Sequence, residues 1–280
     1  MKKTLLAVVA HPDDETFGMG GTLAYYANSG VDVHLICATR GEVGEVASEM
    51  LVGYKSVGDL REHELCCAAD ELGLKEVHFL GYRDSGMQGS PENQHKNALV
   101  QAPVNKVARE IAHLIRQIKP QVVVTFDPIG GYMHPDHISV HNATVVAFEI
   151  TRDEKIETGN LHLHQPQKLY FHIFPRGFFR LVVKLMPLFG KDPSRFGKNG
   201  DINLAAIMKN DFPINAKINY RKVSDKRDRA SACHASQGGD RQSGYIVTWL
   251  LRLFSSHESF MRAFPPSENR RIEKDLFAGI

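Results

Sequence analysis

The stretch Leu5-Leu6-Ala7-Val8-Val9-Ala10-His11-Pro12-Asp13-Asp14-Glu15 runs an apolar segment directly into one imidazole and three carboxylates. A short apolar run of this kind, closing on two valines, has the composition of a strand buried on both faces. An acid-rich cluster with a histidine at such a strand's end outlines a metal or acid/base site.

Working outward, Val31–Ala38, Val77–Leu80, Val122–Phe126 and Lys168–Ile173 have the same look. Helical spacing fills the intervals at 16–29, 58–73, 104–118 and 137–151, each with Gly or Pro near at least one end. The alternation predicts an α/β fold, a Rossmann-like three-layer sandwich with a mainly parallel sheet. In open sheets of this type, sites gather outside the carboxyl ends of the strands. Four polar loops are expected on that rim: His11–Glu15, Thr39–Glu42, Tyr82–Gly86 and Asp127–His137. Gly18-Met19-Gly20-Gly21 is not GxGxxG, and carboxylates occupy the place of a phosphate; these glycines read as close packing in the first helix.

The chain of 280 residues has material for a substantial core, and a formal charge of +2 gives no argument for nucleic acid. Met1-Lys2-Lys3 and the following apolar residues imitate a signal peptide, but the run is short and ends in the acidic cluster, so it reads as the first strand. Cys37, Cys66, Cys67 and Cys233 show no CxxC spacing; reduced thiols in a cytoplasm are expected. Residues 1–175 form the expected catalytic core and 176–280 an elaborated C-terminal part that completes the cleft, within the same domain. Arg176, Arg180 and Lys184 alternate with Phe178, Phe179, Val182, Leu185 and Phe189 at helical spacing. The plain reading is a helix covering the core or cleft; the sharper one is contact with a lipid surface. No transmembrane segment is expected.

A second cluster, His134-Pro135-Asp136-His137 with His141, offers further imidazoles. Catalytic zinc usually takes three N or O ligands and leaves a position open. His11 and Asp14 can face one way around Pro12, and spacing leaves the third ligand open among His134, His137 and His141.

Together the two clusters resemble the PIG-L/LmbE family of zinc-dependent N-deacetylases. Arg61 with Glu64, Tyr82-Arg83-Asp84-Ser85-Gly86-Met87, Gly131-Tyr132, and Lys226 with His234-Ala235-Ser236-Gln237 resemble further motifs. The last of these is similar to the mycothiol-pathway branch, the glucosaminyl-inositol deacetylase and conjugate amidase. The likeness is dense over 5–141 and sparse over 220–262, and 176–215 match none of its motifs. Met133 stands where that branch commonly has Gly, a departure that bears on the backbone angle and pocket width beside His134.

The resemblance implies Zn2+ held by His11, Asp14 and His137, a set that Fe2+ or Co2+ can also occupy. It implies Asp13 as general base toward the metal-activated water, with protonated His134 and the Tyr132 hydroxyl as donors to the oxyanion. Asp136 is expected to orient His134 and raise its pKa, to cap the helix, or both. Arg61, Asp84 and Glu42 are expected to reach the substrate. Arg61 could instead pair with Asp59 or Glu64, and Asp84 could close a turn with Gly86. Glu15 is expected to hold His11 or a loop amide, His141 to support the site or face out of its helix, and Asp127 to bond within its own turn. Arg40, Arg83 and Ser236 carry no assignment.

The expected reaction is hydrolysis of the acetamide of an N-acetylglucosamine-type sugar conjugate, a small-molecule substrate, amphiphilic if Phe178–Phe189 meets lipid. Self-association is left open. An amidase acting on a larger acyl group is the runner-up. A metal phosphoesterase more often needs carboxylates for two metals, and a non-catalytic nucleotide-binding module lacks its glycine fingerprint.

Overall fold

In this computed structural model the described residues are 2–153, 161–174, 183–190, 192–195, 200, 203–239, 256–267 and 271–280. β1 (Thr4–Val9) is buried at every position, as are β4 (Val122–Phe126) and β5 (Lys168–Ile173). With β2 (Asp32–Thr39) and β3 (Glu76–Tyr82) they form a parallel array. The helices are α1 (Asp14–Asn28), α2 (Val57–Leu72), α3 (Val104–Ile118) and α4 (Pro135–Ile150). All nine elements lie within two residues of their sequence expectation.

The C-terminal part adds β6 (Ala216–Asn219), α5 (Ser224–Cys233) and β7 (His257–Phe264). The strand order is β3-β2-β1-β4-β5-β7-β6, with β7 antiparallel to both β5 and β6. The chain first winds outward from β1 to β3 and then starts again at β4 on the other side. The order thus reverses between β1 and β4, and the loops after those two strands flank the crevice where open α/β sheets hold ligands. Right-handed crossovers place α1 and α2 on one face and α3 and α4 on the other. α3 packs along α4, while α5 packs over α1 and α2.

Long-range hydrogen bonds add to the β5–β7 ladder and the α5 packing in joining the C-terminal part to this frame. α1 is distorted at Met19, where φ is −137°. The amides of Gly21 and Thr22 donate to the buried Glu258 carboxylate of β7 at 3.0 and 2.7 Å. Burial pushes that carboxyl up to about 7. A Cβ on Gly21 would sit 2.2 Å from the Tyr220 ring, so the glycine run serves close packing, as its sequence suggested. The Tyr26 hydroxyl donates to Asp275 and accepts the Leu276 amide, seating Leu276 and Phe277 in the core.

The cysteines correct the expectation of reduced thiols. Cys67 of α2 and Cys233 at the end of α5 form a disulfide, with Cα atoms 5.8 Å apart and a sequence separation of 166. Helix packing brings the pair together, which no local spacing announces. Cys37 is free and buried, Cys66 free and exposed. Of the amphipathic stretch 176–191, residues 176–182 and 191 fall outside the described residues, as does Tyr245–Phe254. Met186–Phe189 forms a 3-10 turn with Leu188 and Phe189 exposed. Among the described residues, no helix is long and apolar enough to cross a membrane.

Candidate metal centre and substrate cleft

Pro12 and a sharp turn fold the loop after β1 back on itself. Asp14 Oδ2 accepts the amides of Ala10 and His11 at 3.2 and 2.8 Å, which fixes its carboxylate under the His11 ring. From the loop after β4, α4 brings in His137, whose Nδ1 lies 3.2 Å from the Gly130 carbonyl. Donor atoms of three residues then converge: His137 Nε2 stands 3.2 Å from Asp14 Oδ1 and 3.3 Å from His11 Nδ1, while His11 Nδ1 stands 3.5 Å from the other carboxylate oxygen, Asp14 Oδ2. Ligands about 2.0–2.2 Å from a tetrahedral zinc stand about 3.3–3.6 Å from each other, so these spacings are close to those of a zinc site, with Asp14 presenting a different oxygen to each imidazole.

The surroundings fit as well. The other nitrogen of His11, Nε2, faces Asp136 Oδ2 at 3.1 Å and Asp84 Oδ1 at 3.5 Å. A carboxylate on one imidazole and a carbonyl on the other fix ring orientation and leave the inward nitrogens free for a metal. Asp14 is held well below the usual carboxylate range: burial would raise it, but His137 and His11 outweigh burial. Of the other two ligand alternatives, His141 sends Nδ1 to the Phe126 carbonyl at 2.8 Å and packs on Phe171, away from the triangle, whereas His134 keeps a ring nitrogen within 4.8 Å of those of His11 and His137.

Asp13 sits beside the triangle at φ 122°, a conformation that non-glycine residues rarely adopt. Two contacts hold it there: its amide donates to Glu15 Oε2 at 3.0 Å, and its Oδ2 accepts from Arg61 Nη2 at 3.1 Å. Burial raises its carboxyl to about 7, against the opposing charge of Arg61. Glu15 therefore holds a loop amide, and the His11 contact proposed for it is made by Asp136 instead.

Two roles need correction. Asp136 does not orient His134; its carboxylate accepts the Ser85 amide at 2.8 Å and faces His11, while its own amide donates to His134 Nδ1 at 3.2 Å. His134, not Asp136, caps α4. His134 is also not protonated: burial and the neighbouring His11 and His137 depress it to about 2, and Nδ1 is an acceptor, leaving Nε2–H as a neutral donor. Tyr132 lies edge-on to His137, its phenol pushed upward by burial and so kept as a hydroxyl. Met133 has φ 71°, which accounts for a glycine commonly standing there.

The residues expected at the substrate are placed unequally. Arg61, Asp84, Tyr132 and His134 line a cleft of about 560 Å³ with His11 and Asp13. Arg61 also donates to the carbonyls of Gly41 and Pro12 at 2.8 and 2.7 Å. A Cβ on Gly41 would lie 2.1 Å from the guanidinium, so this glycine makes the close approach possible. Asp84 closes its own turn through the Gly86 amide at 2.8 Å. Glu42 is not in the cleft wall; its Oε2 accepts the Asp84 amide at 3.0 Å and joins the loops after β2 and β3. Asp127 bonds within its turn to the amides of Ile129 and Gly131, and Arg83 pairs with Glu92.

Several residues were missed or left without a role. The fully buried His234 bonds Glu15 Oε1 at 2.8 Å, Ser236 bonds Glu64 through both its amide and hydroxyl, and Gln237 lines the cleft. Their motif was visible, but its contacts span more than 170 residues. Behind His137 lies a smaller cavity of about 160 Å³ walled by Phe17, Phe126, Phe174 and His172. His172 lies next to the carboxyl end of β5, a position the strand-end rule could have flagged.

Residues 6–148 match the family model described as PIG-L: GlcNAc-PI de-N-acetylase. Among similar proteins is the 1D-myo-inositol 2-acetamido-2-deoxy-alpha-D-glucopyranoside deacetylase of Acidothermus cellulolyticus, 36% identical over 100% of this chain and 96% of its own. Another so described, deacetylase 2 of Catenulispora acidiphila, is 39% identical over 99% of this chain and 97% of its own. Among solved structures, N,N'-diacetylchitobiose deacetylase from Pyrococcus horikoshii superposes with TM-score 0.62 at 18% identity, covering 93% of this chain and 83% of that one; this is likeness of fold. The matched segment carries both halves of the donor triangle, and the chain belongs to the PIG-L family.

Proposed function

We propose that the protein is a zinc-dependent N-deacetylase of N-acetylglucosamine-type sugar conjugates, releasing acetate and a free amine. The observation that carries this reading is the His11–Asp14–His137 triangle set between the polar cleft, which His11 lines, and the smaller cavity, which Asp14 and His137 line, with Asp13 in the wall of both. Zinc bound there supplies Lewis acidity toward the amide carbonyl and lowers the pKa of the attacking water. The protein's residues do the rest. Asp13, with a carboxyl near neutral, takes the proton as the water oxygen bonds to the carbonyl carbon, and returns it to nitrogen as the C–N bond breaks. His134 Nε2–H and the Tyr132 hydroxyl are the donors for charge developing on the carbonyl oxygen. Asp136 holds His11 in the tautomer that keeps Nδ1 free.

Asp84 and Gln237 in the wall support sugar recognition, and Gln237 supports a C-terminal part, 176–280, that completes the cleft. The adjoining groove of about 930 Å³, which shares Gly44, Glu45 and Gln237 with the cleft, gives room for the rest of the conjugate. The small aromatic-walled cavity favours a short acyl group over the larger one of the amidase reading. The reading includes a cytoplasmic location.

Amine release from N-acetylglucosaminyl conjugates tests this, using protein stripped by chelation and reloaded with zinc. Loss on stripping, recovery on reloading, and turnover falling as the acyl chain lengthens are expected. Undiminished turnover after complete stripping would refute it.

A further inference from the structure

We propose a second transition-metal site at the opposite end of the sheet, formed by His34, Glu76 and His78. The backbone register creates it. In the parallel β2–β3 pair His34 stands opposite Glu76 and Ile36 opposite His78. Side chains alternate along a strand, so Glu76 and His78 share a face, and the directly opposed His34 shares it with them. These residues lie toward the start of β2 and β3, at the edge of the sheet and away from the strand ends that carry the catalytic cleft.

The donor atoms already face one another. Glu76 Oε2 is 3.7 Å from His34 Nδ1 and 3.5 Å from His78 Nε2, and all three donors lie within 4.8 Å of each other. Both of those imidazole nitrogens are buried and have no hydrogen-bond partner. His34 is only 7% exposed, so an unpartnered nitrogen there carries a desolvation cost that a metal ion would remove. Burial, with His78 and Lys75 nearby, lowers the His34 pKa, which keeps the ring neutral as a ligand must be.

The charges around the cluster permit a cation. Lys75, the immediate neighbour of Glu76, is turned to Asp32 at 2.5 Å, and Asp32 also pairs with Lys2. The Glu76 side chain is 55% exposed and free to shift toward both imidazoles. Two imidazoles and one carboxylate suit Zn2+, Cu2+ or Ni2+ rather than Mg2+ or Ca2+, which prefer oxygen. The solvent side leaves the remaining positions to water. Such an ion would clamp the edge strand β3 to β2.

Zinc content per chain, with binding followed by competition against a chromogenic chelator, tests the site in a His11→Gln, Asp14→Asn, His137→Gln background, which breaks both donor groups that share His11 at the catalytic centre. One zinc per chain is expected there, lost on adding His78→Gln and weakened at least several-fold by Glu76→Gln, whose exposed position keeps the fold intact. In otherwise wild-type protein, His78→Gln should lower zinc content by one equivalent and leave amine release unchanged. No zinc in the background protein, or one equivalent that survives His78→Gln and binds Glu76→Gln undiminished, would overturn the proposal.

Discussion

The first 153 residues and the C-terminal part of this molecule are built in different ways. The former is a chain of strand–helix units whose elements pack beside their sequence neighbours, and it supplies the whole donor triangle and Asp13. The latter joins through elements distant in sequence, β7 along β5 and α5 over α1 and α2, and through long-range side-chain contacts: Glu258 on the α1 amides, His234 on Glu15, Ser236 on Glu64, Cys233 on Cys67. The chemistry therefore sits on one region and its rigidity depends on the other. The Glu15 carboxylate is the hinge of that division, since one oxygen holds the strained Asp13 amide and the other meets His234.

The division can be broken at several points, the largest effect first. Replacing His234 by Asn should lower kcat about 10–100-fold with KM little changed and zinc retained, because Asp13 loses its support rather than the substrate its contact. Gln237→Ala, in the wall, should instead raise KM; equal effects of the two on KM would erase the distinction. Cys67→Ser should cost about 2–4 kcal/mol in denaturant unfolding, since the bond closes a long loop. A loss below about 0.5 kcal/mol would mean that the C-terminal part is held without it.

Glu258 gives a pH signature. Its native carboxyl, raised by burial to about 7 from the ordinary glutamate value of 4.5, binds a proton that the unfolded chain releases between those values. Stability from this group is present below about 4.5 and falls as pH rises through 7, by up to about 3 kcal/mol in total. Melting curves between pH 5 and 8 should show this slope, and Glu258→Gln should flatten it. A smaller effect is expected at Met133: Met133→Gly should stabilise by about 1 kcal/mol by relieving a left-handed backbone position.

The same contrast explains what the sequence disclosed. Apolar runs such as Leu5–Val9 and Val122–Phe126 are local signals of burial, and they located the parallel strands and hence the rim. β7 reads His257-Glu258-Ser259-Phe260-Met261-Arg262-Ala263-Phe264, with a buried glutamate whose partners are amides 236 and 237 residues away. Nothing local marks it as a strand. In the site, loop spacing brought His11 and Asp14 forward but left His134, His137 and His141 equivalent; the Phe126 carbonyl draws His141 away, and the Asp136 amide occupies Nδ1 of His134. Asp136 was paired with His134 because the two are neighbours in sequence, whereas the fold turns its carboxylate to His11, 125 residues away.

The most direct test of the account is Asp13→Asn, assayed for amine release from an N-acetylglucosaminyl conjugate at zinc content matched to the wild type. The account predicts full zinc occupancy with turnover reduced about 10²–10⁴-fold. Turnover within a few-fold of wild type at equal zinc would contradict the assignment of Asp13 as the proton-transfer residue of this centre.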